Sequence, residues 1–177
     1  APDAAISLTS LTGYSGGGKK MIAEYEAEGR DAGLSSPRPY AVTQAHKHLP
    51  EITHVCKLAE APIFQPIVDD YYAGMVVSLP LHPKAMAGKP SLAAVSEVYA
   101  AHYAGQKLVR VLSPNPEGFV AANALAGSDV MHVFVTGNDQ RMIACARFDN
   151  LGKGASGAAI QCMNRMLGLA EETSLTL

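Results

Sequence analysis

Two apolar runs, Val130 to Thr136 and Arg141 to Phe148, flank the four residues Gly137-Asn138-Asp139-Gln140. The runs are rich in β-branched, aromatic and other apolar side chains, and the residues between them are turn formers, so the pair reads as a β-hairpin. Two strands this apolar need cover, which commits the chain to a sheet with other elements packed on it.

Upstream, Ala5 to Thr12 reads as a strand that runs into glycines, and a helix follows from about Gly17 to Arg30. Ser35 to Pro39 reads as a loop and Tyr40 to His46 as a short strand. A second helix starts at Pro50 and reaches about Leu58, with proline in a favoured early position. Ile63 to Val68 and Met75 to Leu81 read as strands. Ser91 caps a third helix whose positions Leu92, Val95, Val98 and Tyr99 form its apolar side. Leu108 to Leu112 is a strand, and a last helix spans about Ala155 to Leu169. Strands in neighbouring runs with helices between them predict an α+β fold, a sheet covered by helices on one face.

At 177 residues, 48% hydrophobic, the chain is long and apolar enough for a core. A formal net charge of −2, without a basic stripe, gives no nucleic-acid face. The apolar runs are strand-length, so no membrane span is expected, and the opening residues do not read as a signal peptide. Cys56, Cys145 and Cys162 are too few and too scattered for a disulfide framework or a cysteine zinc site, and a reducing cytoplasm is the expected setting.

Three stretches carry chemistry. Gly13 to Lys20, GYSGGGKK, nearly matches the phosphate-binding pattern G-x-x-x-x-G-K-[ST], but Lys20 stands where a hydroxyl should ligate magnesium. It is a phosphate loop, a ligand-free turn, or a loop that meets a phosphate or cofactor in another architecture. His46-Lys47-His48-Leu49-Pro50-Glu51 places two histidines two apart, on one face if they lie on a strand. That suits a metal with Glu51 as oxygen donor, or acid–base work in which a carboxylate orients an imidazole. Asp149 to Gly157, DNLGKGASG, enters the last helix through small residues that let a flat ligand approach, or is a plain loop with a serine cap. His54, His82, His102 and His132 have no partners in sequence and read as structural or exposed, and Cys145 and Cys162 as inert packing residues.

Taken in order, SGGGKK after a first strand, then HKHLPEI, then DNLGKGASGAAIQCMN near the end, the chain resembles N-acetyl-γ-glutamyl-phosphate reductase of arginine biosynthesis, in its shorter form. The resemblance runs from about Ile6 to Leu175. Aspartate-semialdehyde dehydrogenase is a related family with a similar glycine loop, and HKHLPE favours the first. The resemblance implies the fold of the glyceraldehyde-3-phosphate dehydrogenase-like C-terminal domain, a mixed, mostly antiparallel sheet with helices on one side and an open face for subunit contact. It implies NADPH-dependent reduction of N-acetylglutamyl 5-phosphate to the semialdehyde through a cysteine thioester.

The family's nucleophile lies in a P-G-C-Y motif, beside an N-terminal Rossmann domain, and neither is found in these residues. The chain is therefore expected to be the substrate and dimerisation part of a longer enzyme, inactive alone and with little hold on NADP. Residues 1–153 would form the catalytic and dimerisation domain, and 154–177 a helix and tail that pack on the Rossmann domain.

Residue by residue, the resemblance implies His46 as acid–base, with His48 as the alternative, and Glu51 as its orienting carboxylate. Ser15 and Gly16 would meet the nicotinamide end of the cofactor or the substrate phosphate, Asn150 the nicotinamide, and Lys19 an anionic group of the substrate. No metal is expected. The partners implied are a small acyl-phosphate substrate, the Rossmann domain and a further copy of the chain, with neither nucleic acid nor membrane. Two rival readings remain: a complete small nucleotide-binding protein that uses GYSGGGKK, and a non-catalytic dimerisation module.

Overall fold

A computed structural model describes residues 4–177. Seven strands form one sheet in the order β2-β3-β1-β4-β7-β6-β5. They are β1 (Ser7–Gly13), β2 (Arg38–Pro39), β3 (Ile63–Asp69), β4 (Met75–Leu81), β5 (Val109–Val111), β6 (Met131–Asn138) and β7 (Arg141–Phe148). The pairs β1/β3 and β5/β6 are parallel and the other four are antiparallel. The hairpin forms as the apolar runs require, with Asn138 paired to Arg141 at its end.

Four helices accompany the sheet: α1 (Gly18–Glu26), α2 (His48–Val55), α3 (Leu92–His102) and α4 (Gly157–Met166). Alternation along the strands puts Thr12, Val68, Met75 and Phe148 on one face, through their mutual pairing. Leu81, Met142 and Val135 fall on the same face. Val68 packs with Tyr25 of α1 and Leu34, while Val135 and Met142 pack with Val95 of α3. The helices α1 and α3 therefore share one side of the sheet. On the other side lie Leu11, Ile67, Ile143 and Arg147.

Several local readings are corrected. Tyr40 to His46 is not a strand; the strand is Arg38–Pro39, inside the expected loop. Ala41 and Gln44 both have positive φ, which no extended strand tolerates. Gln44 instead pairs through its side chain: its amide nitrogen donates to Phe64 O at 3.0 Å, and Phe64 N donates to its carbonyl at 3.0 Å. The side chain thus serves as the last rung beside β3, beyond Arg38 opposite Val68 and the bond from Tyr40 N to Pro66 O.

The first helix ends at Glu26, short of Arg30, because the backbone is extended at Ala27 and left-handed at Gly29; Arg30 then turns to Asp70 and the Tyr25 carbonyl. The second starts two residues before Pro50. In α3, Ser91 caps as expected, accepting from Ala94 N at 3.1 Å, but Val98 is 68% exposed and off the apolar side. Ser156 is no cap: it is helical, and its hydroxyl donates to Leu151 O within a π-type turn over Gly152–Ser156. The buried Asp149 carboxylate does that work, accepting from Leu151 N at 2.7 Å.

After α4 the chain folds back. Buried Asn164 donates to the carbonyls of Glu171 and Thr173, and Thr176 N donates to Asp129. The tail is tied to the turn that precedes β6. Meanwhile Ala155, Ala159, Cys162, Met163 and Met166, at helical spacing, lie exposed along one stripe.

Candidate active site

The cleft is built where β1 ends against the β3–β4 connection, which passes over the end of β1 because β1 lies between those two strands. Gly13 N donates to Gly74 O, Tyr14 N to Tyr71 O and Ser15 N to Tyr72 O, at 2.9–3.1 Å. A Cβ on Gly13 would stand 2.5 Å from Tyr72 O, so glycine is needed for this backbone-to-backbone approach. The loop then coils through one 3-10 turn, Tyr14–Gly17, into α1. Three successive amides at its start are consumed by protein carbonyls. The first three amides of the loop are therefore closed to a phosphate, which counts against the nucleotide-binding alternative.

Asn150 reaches the loop from the end of β7. Its amide nitrogen donates to Ser15 Oγ at 3.0 Å, and its carbonyl accepts from Gly74 N at 2.7 Å. Two sequence-distant motifs thus lock together, with Ser15 only 4% exposed. At Gly16 the nearest atoms to an added Cβ are Asn150 Nδ2 and Thr12 Oγ1, both at 3.6 Å, which leaves open room beside the amide.

The opposite wall is the histidine segment. The two histidines do not share a strand face: His46 ends a loop and His48 opens α2. His48 N donates to His46 Nδ1 at 3.1 Å. The His46 ring stands edge-on to Phe64, with centroids 5.1 Å apart, and to His48 at 4.8 Å. Burial lowers the His46 pKa, and the nearby charges of His48 and Lys47 add to that. Glu51, in the first turn of α2, is exposed and makes no bond to His46 among the described contacts.

Between the walls lies a cleft of about 620 Å³. It brings together His46, His48 and Glu51 with Gly16 and Asn150. Its apolar floor includes Leu8, Val77 and Phe148 from three strands, and Cys56 lies on its rim. Lys19 is exposed on α1 and does not line this cleft. Among the described residues no three His, Cys, Asp or Glu side chains converge on a point that could hold a metal ion. The floor residues were missed in the sequence because the sheet order alone decides which strands meet there. Alternation in β1, which sets Leu8, Ser10 and Thr12 on one face, was the available signal.

The other sheet face carries a separate cluster. Arg147, 4% exposed, donates to both Glu117 oxygens at 2.8 and 3.1 Å, and its guanidinium lies 5.8 Å from the Phe134 ring centroid. The bond from Arg147 holds the Glu117 pKa below the usual carboxylate range. His132 sits 3.4 Å away, its pKa lowered by burial and then by Arg147 and Arg110.

A mixed sheet with helices on one side, and a histidine-lined cleft where it meets a glycine turn, define the class. Residues 1–150 match the family model described as semialdehyde dehydrogenase, dimerisation domain, and the chain belongs to that family. Among curated relatives, N-acetyl-gamma-glutamyl-phosphate reductase of Brucella anthropi is 42% identical over 94% of this chain and 55% of its own length. N-acetyl-gamma-glutamyl-phosphate reductase 2 of a Nostoc species is 40% identical over 96% of this chain and 56% of its own. The chain spans about 55% of the length of these relatives. Aspartate semialdehyde dehydrogenase II from Vibrio cholerae has the same fold, with a TM-score of 0.68 at 13% identity, over 93% of this chain and 55% of that one. A probable aspartate-semialdehyde dehydrogenase from Pseudomonas aeruginosa gives a TM-score of 0.67 at 17% identity, over 92% of this chain and 55% of that one. No described helix is long and apolar enough to cross a membrane.

Proposed function

We propose that the chain is the substrate-handling and dimerisation part of an NADP-dependent N-acetyl-γ-glutamyl-phosphate reductase working in the cytoplasm. The observation that carries the reading is the meeting of His46 and Glu51 with Gly16 and Asn150 in one cleft. These residues come from three stretches that sequence alone leaves unconnected. Relatives that bear the reductase name match nearly the whole chain at about 40% identity.

The residues suit the nicotinamide end of a dinucleotide. The open side of Gly16, the flat apolar floor and the Asn150 amide accept a planar ring, and Asn150 keeps one N–H beyond those already engaged. When bound, the dinucleotide would supply the reducing equivalents. This chain's own part is to receive the acyl phosphate, exclude water over the apolar floor, and place a hydrogen-bonding group at the reacting carbonyl oxygen. His46 is assigned that last role, with His48 beside it; Glu51 offers a carboxylate at the cleft mouth and Lys19 a cation just outside. The thiol that captures the acyl group lies in a segment beyond this chain.

The exposed stripe of α4 is assigned to that same segment, a nucleotide-binding Rossmann domain. The open sheet face, with half-exposed Ile143, and the 93% exposed Phe119 are assigned to a second copy of the chain. The test is an assay of the purified 177-residue chain with N-acetylglutamyl 5-phosphate and NADPH. No turnover is expected alone, and turnover that depends on His46 is expected when the Rossmann segment is present. Turnover by the chain alone would place the nucleophile inside it, with Cys56 on the cleft rim as the candidate. Full activity of His46→Ala with the Rossmann segment present would leave a dimerisation module only.

A further inference from the structure

We infer that His46 acts as a neutral imidazole, donating a hydrogen bond from Nε2 into the cleft, and that the first turn of α2 holds it in that tautomer. The inference rests on the placement of His46 in the reductase site and specifies how it works there.

The geometry restricts the ring at Nδ1. The donor opposite it is the His48 N–H, at 3.1 Å. A nitrogen that accepts this bond carries no proton, so the neutral ring carries its proton on Nε2. His48 is the first residue of α2, and its N–H is one of the orphan amides at a helix start. His46 therefore serves the helix as its capping acceptor, because Lys47, in the cap position, makes no side-chain cap bond. Glu51 does not orient the ring; a backbone amide does.

The same contact opposes the imidazolium. Protonation of Nδ1 would set two N–H groups against each other and break the cap. The positive end of the α2 dipole also lies beside the ring. Lys47 and His48 are the neighbouring cations or potential cations, and Phe64 and Tyr40 are the aromatic faces against it. Glu51 and Cys56 are the other titratable groups on the cleft. Burial and these charges lower the pKa, in agreement with the geometry.

Once the attacking sulfur is a thiolate, a neutral donor suffices for the addition and collapse of the adduct. When a nucleophile adds to an acyl carbonyl, negative charge builds on the oxygen, and an N–H aimed there stabilises it without giving up its proton. When the adduct collapses, the carbonyl reforms and the ring is unchanged. A helix start that keeps a catalytic imidazole neutral is a known electrostatic device in another enzyme.

The experiment is long-range ¹⁵N–¹H correlation NMR on the histidine-labelled 177-residue chain, with His46 assigned by the signals lost in His46→Gln. The expected result is the Nε2-protonated tautomer, with less imidazolium at pH 7 than the roughly one quarter of an ordinary histidine. The tautomer should be unchanged in Glu51→Gln. An Nδ1-protonated ring, a higher imidazolium fraction, or loss of the tautomer in Glu51→Gln overturns the inference. A second arm separates the failures. With the Rossmann segment present, His46→Gln, which keeps a donor, should retain at least about ten-fold more kcat than His46→Ala. Equal loss in the two variants overturns the neutral-donor role. If the Nε2 tautomer is observed and His46→Ala costs no activity, the reading of the site falls while the tautomer stands. If an Nδ1–H ring is found in a chain that His46→Ala inactivates, the reverse holds.

Discussion

The two edges of the sheet end in the same way and lead to different places. Beside β3, backbone rungs give way to the Gln44 side chain, which bonds both polar groups of Phe64. Beside β6, Leu112 N bonds Val133 O and Asn115 N bonds Val135 O, and then the Asn115 side chain bonds both polar groups of Gly137 at 2.8 and 3.1 Å. Both amide residues have positive φ, near 57° and 52°. A peptide-like side chain finishes each ladder while the main chain turns away. The first edge then delivers His46 and α2 to the cleft; the second delivers Glu117 to Arg147 on the opposite face. Phe64 is 7% exposed, whereas Gly137 is exposed. The same device therefore carries unequal weight, since an unpaired polar group costs more where water cannot replace its partner.

The largest test cuts what the second edge delivers. Arg147→Ala empties the space that the buried side chain fills beside Phe134, and should lower the unfolding free energy by about 3 kcal/mol in urea titration. A loss under about 1 kcal/mol would show that the second edge ends in a decorative contact. Next come the rungs themselves. Gln44→Ala should cost about 2 kcal/mol and Asn115→Ala less than about 1 kcal/mol, by the same titration. Equal losses would break the comparison. The smallest effect is in pH. Because the folded pKa of His46 is lowered, the unfolded chain binds that proton first as pH falls. The His46 contribution is intact above about pH 6.5 and is lost progressively below it. His132 has the same sign and adds to the slope. Gln44→Ala, which frees the His46 loop from Phe64, should flatten the decline in urea midpoint between about pH 7.5 and 5.5, while Asn115→Ala should leave it as in the parent.

Much of this arrangement was legible in the residues. The hairpin was plain because two apolar runs flank turn formers, and Met75–Leu81 was found to the residue. The stretch YAVTQAH misled because its backbone breaks at Ala41 and Gln44 for a tertiary reason, the pairing to Phe64, which no local pattern encodes. Val98 fits a helical apolar stripe, yet its helix leans on the sheet through Val95 and leaves it outside. At the site, the histidine, glycine and Asn150 motifs were each visible, but not that Asn150 would spend its amide on Ser15 and Gly74. The His48 amide was invisible because a backbone group has no signature. Arg147 and Glu117 escaped notice because nothing in their spacing marks them as partners.

The strand order has one more consequence, for the chain as it is being made. β4 lies between β1, made before it, and β7, made long after. Until Arg141 to Phe148 leave the ribosome, one flank of β4 has no strand beside it, an open template for another chain. Pro80 has no N–H, so β4 carries one ladder donor fewer than its length allows while the last hairpin is awaited.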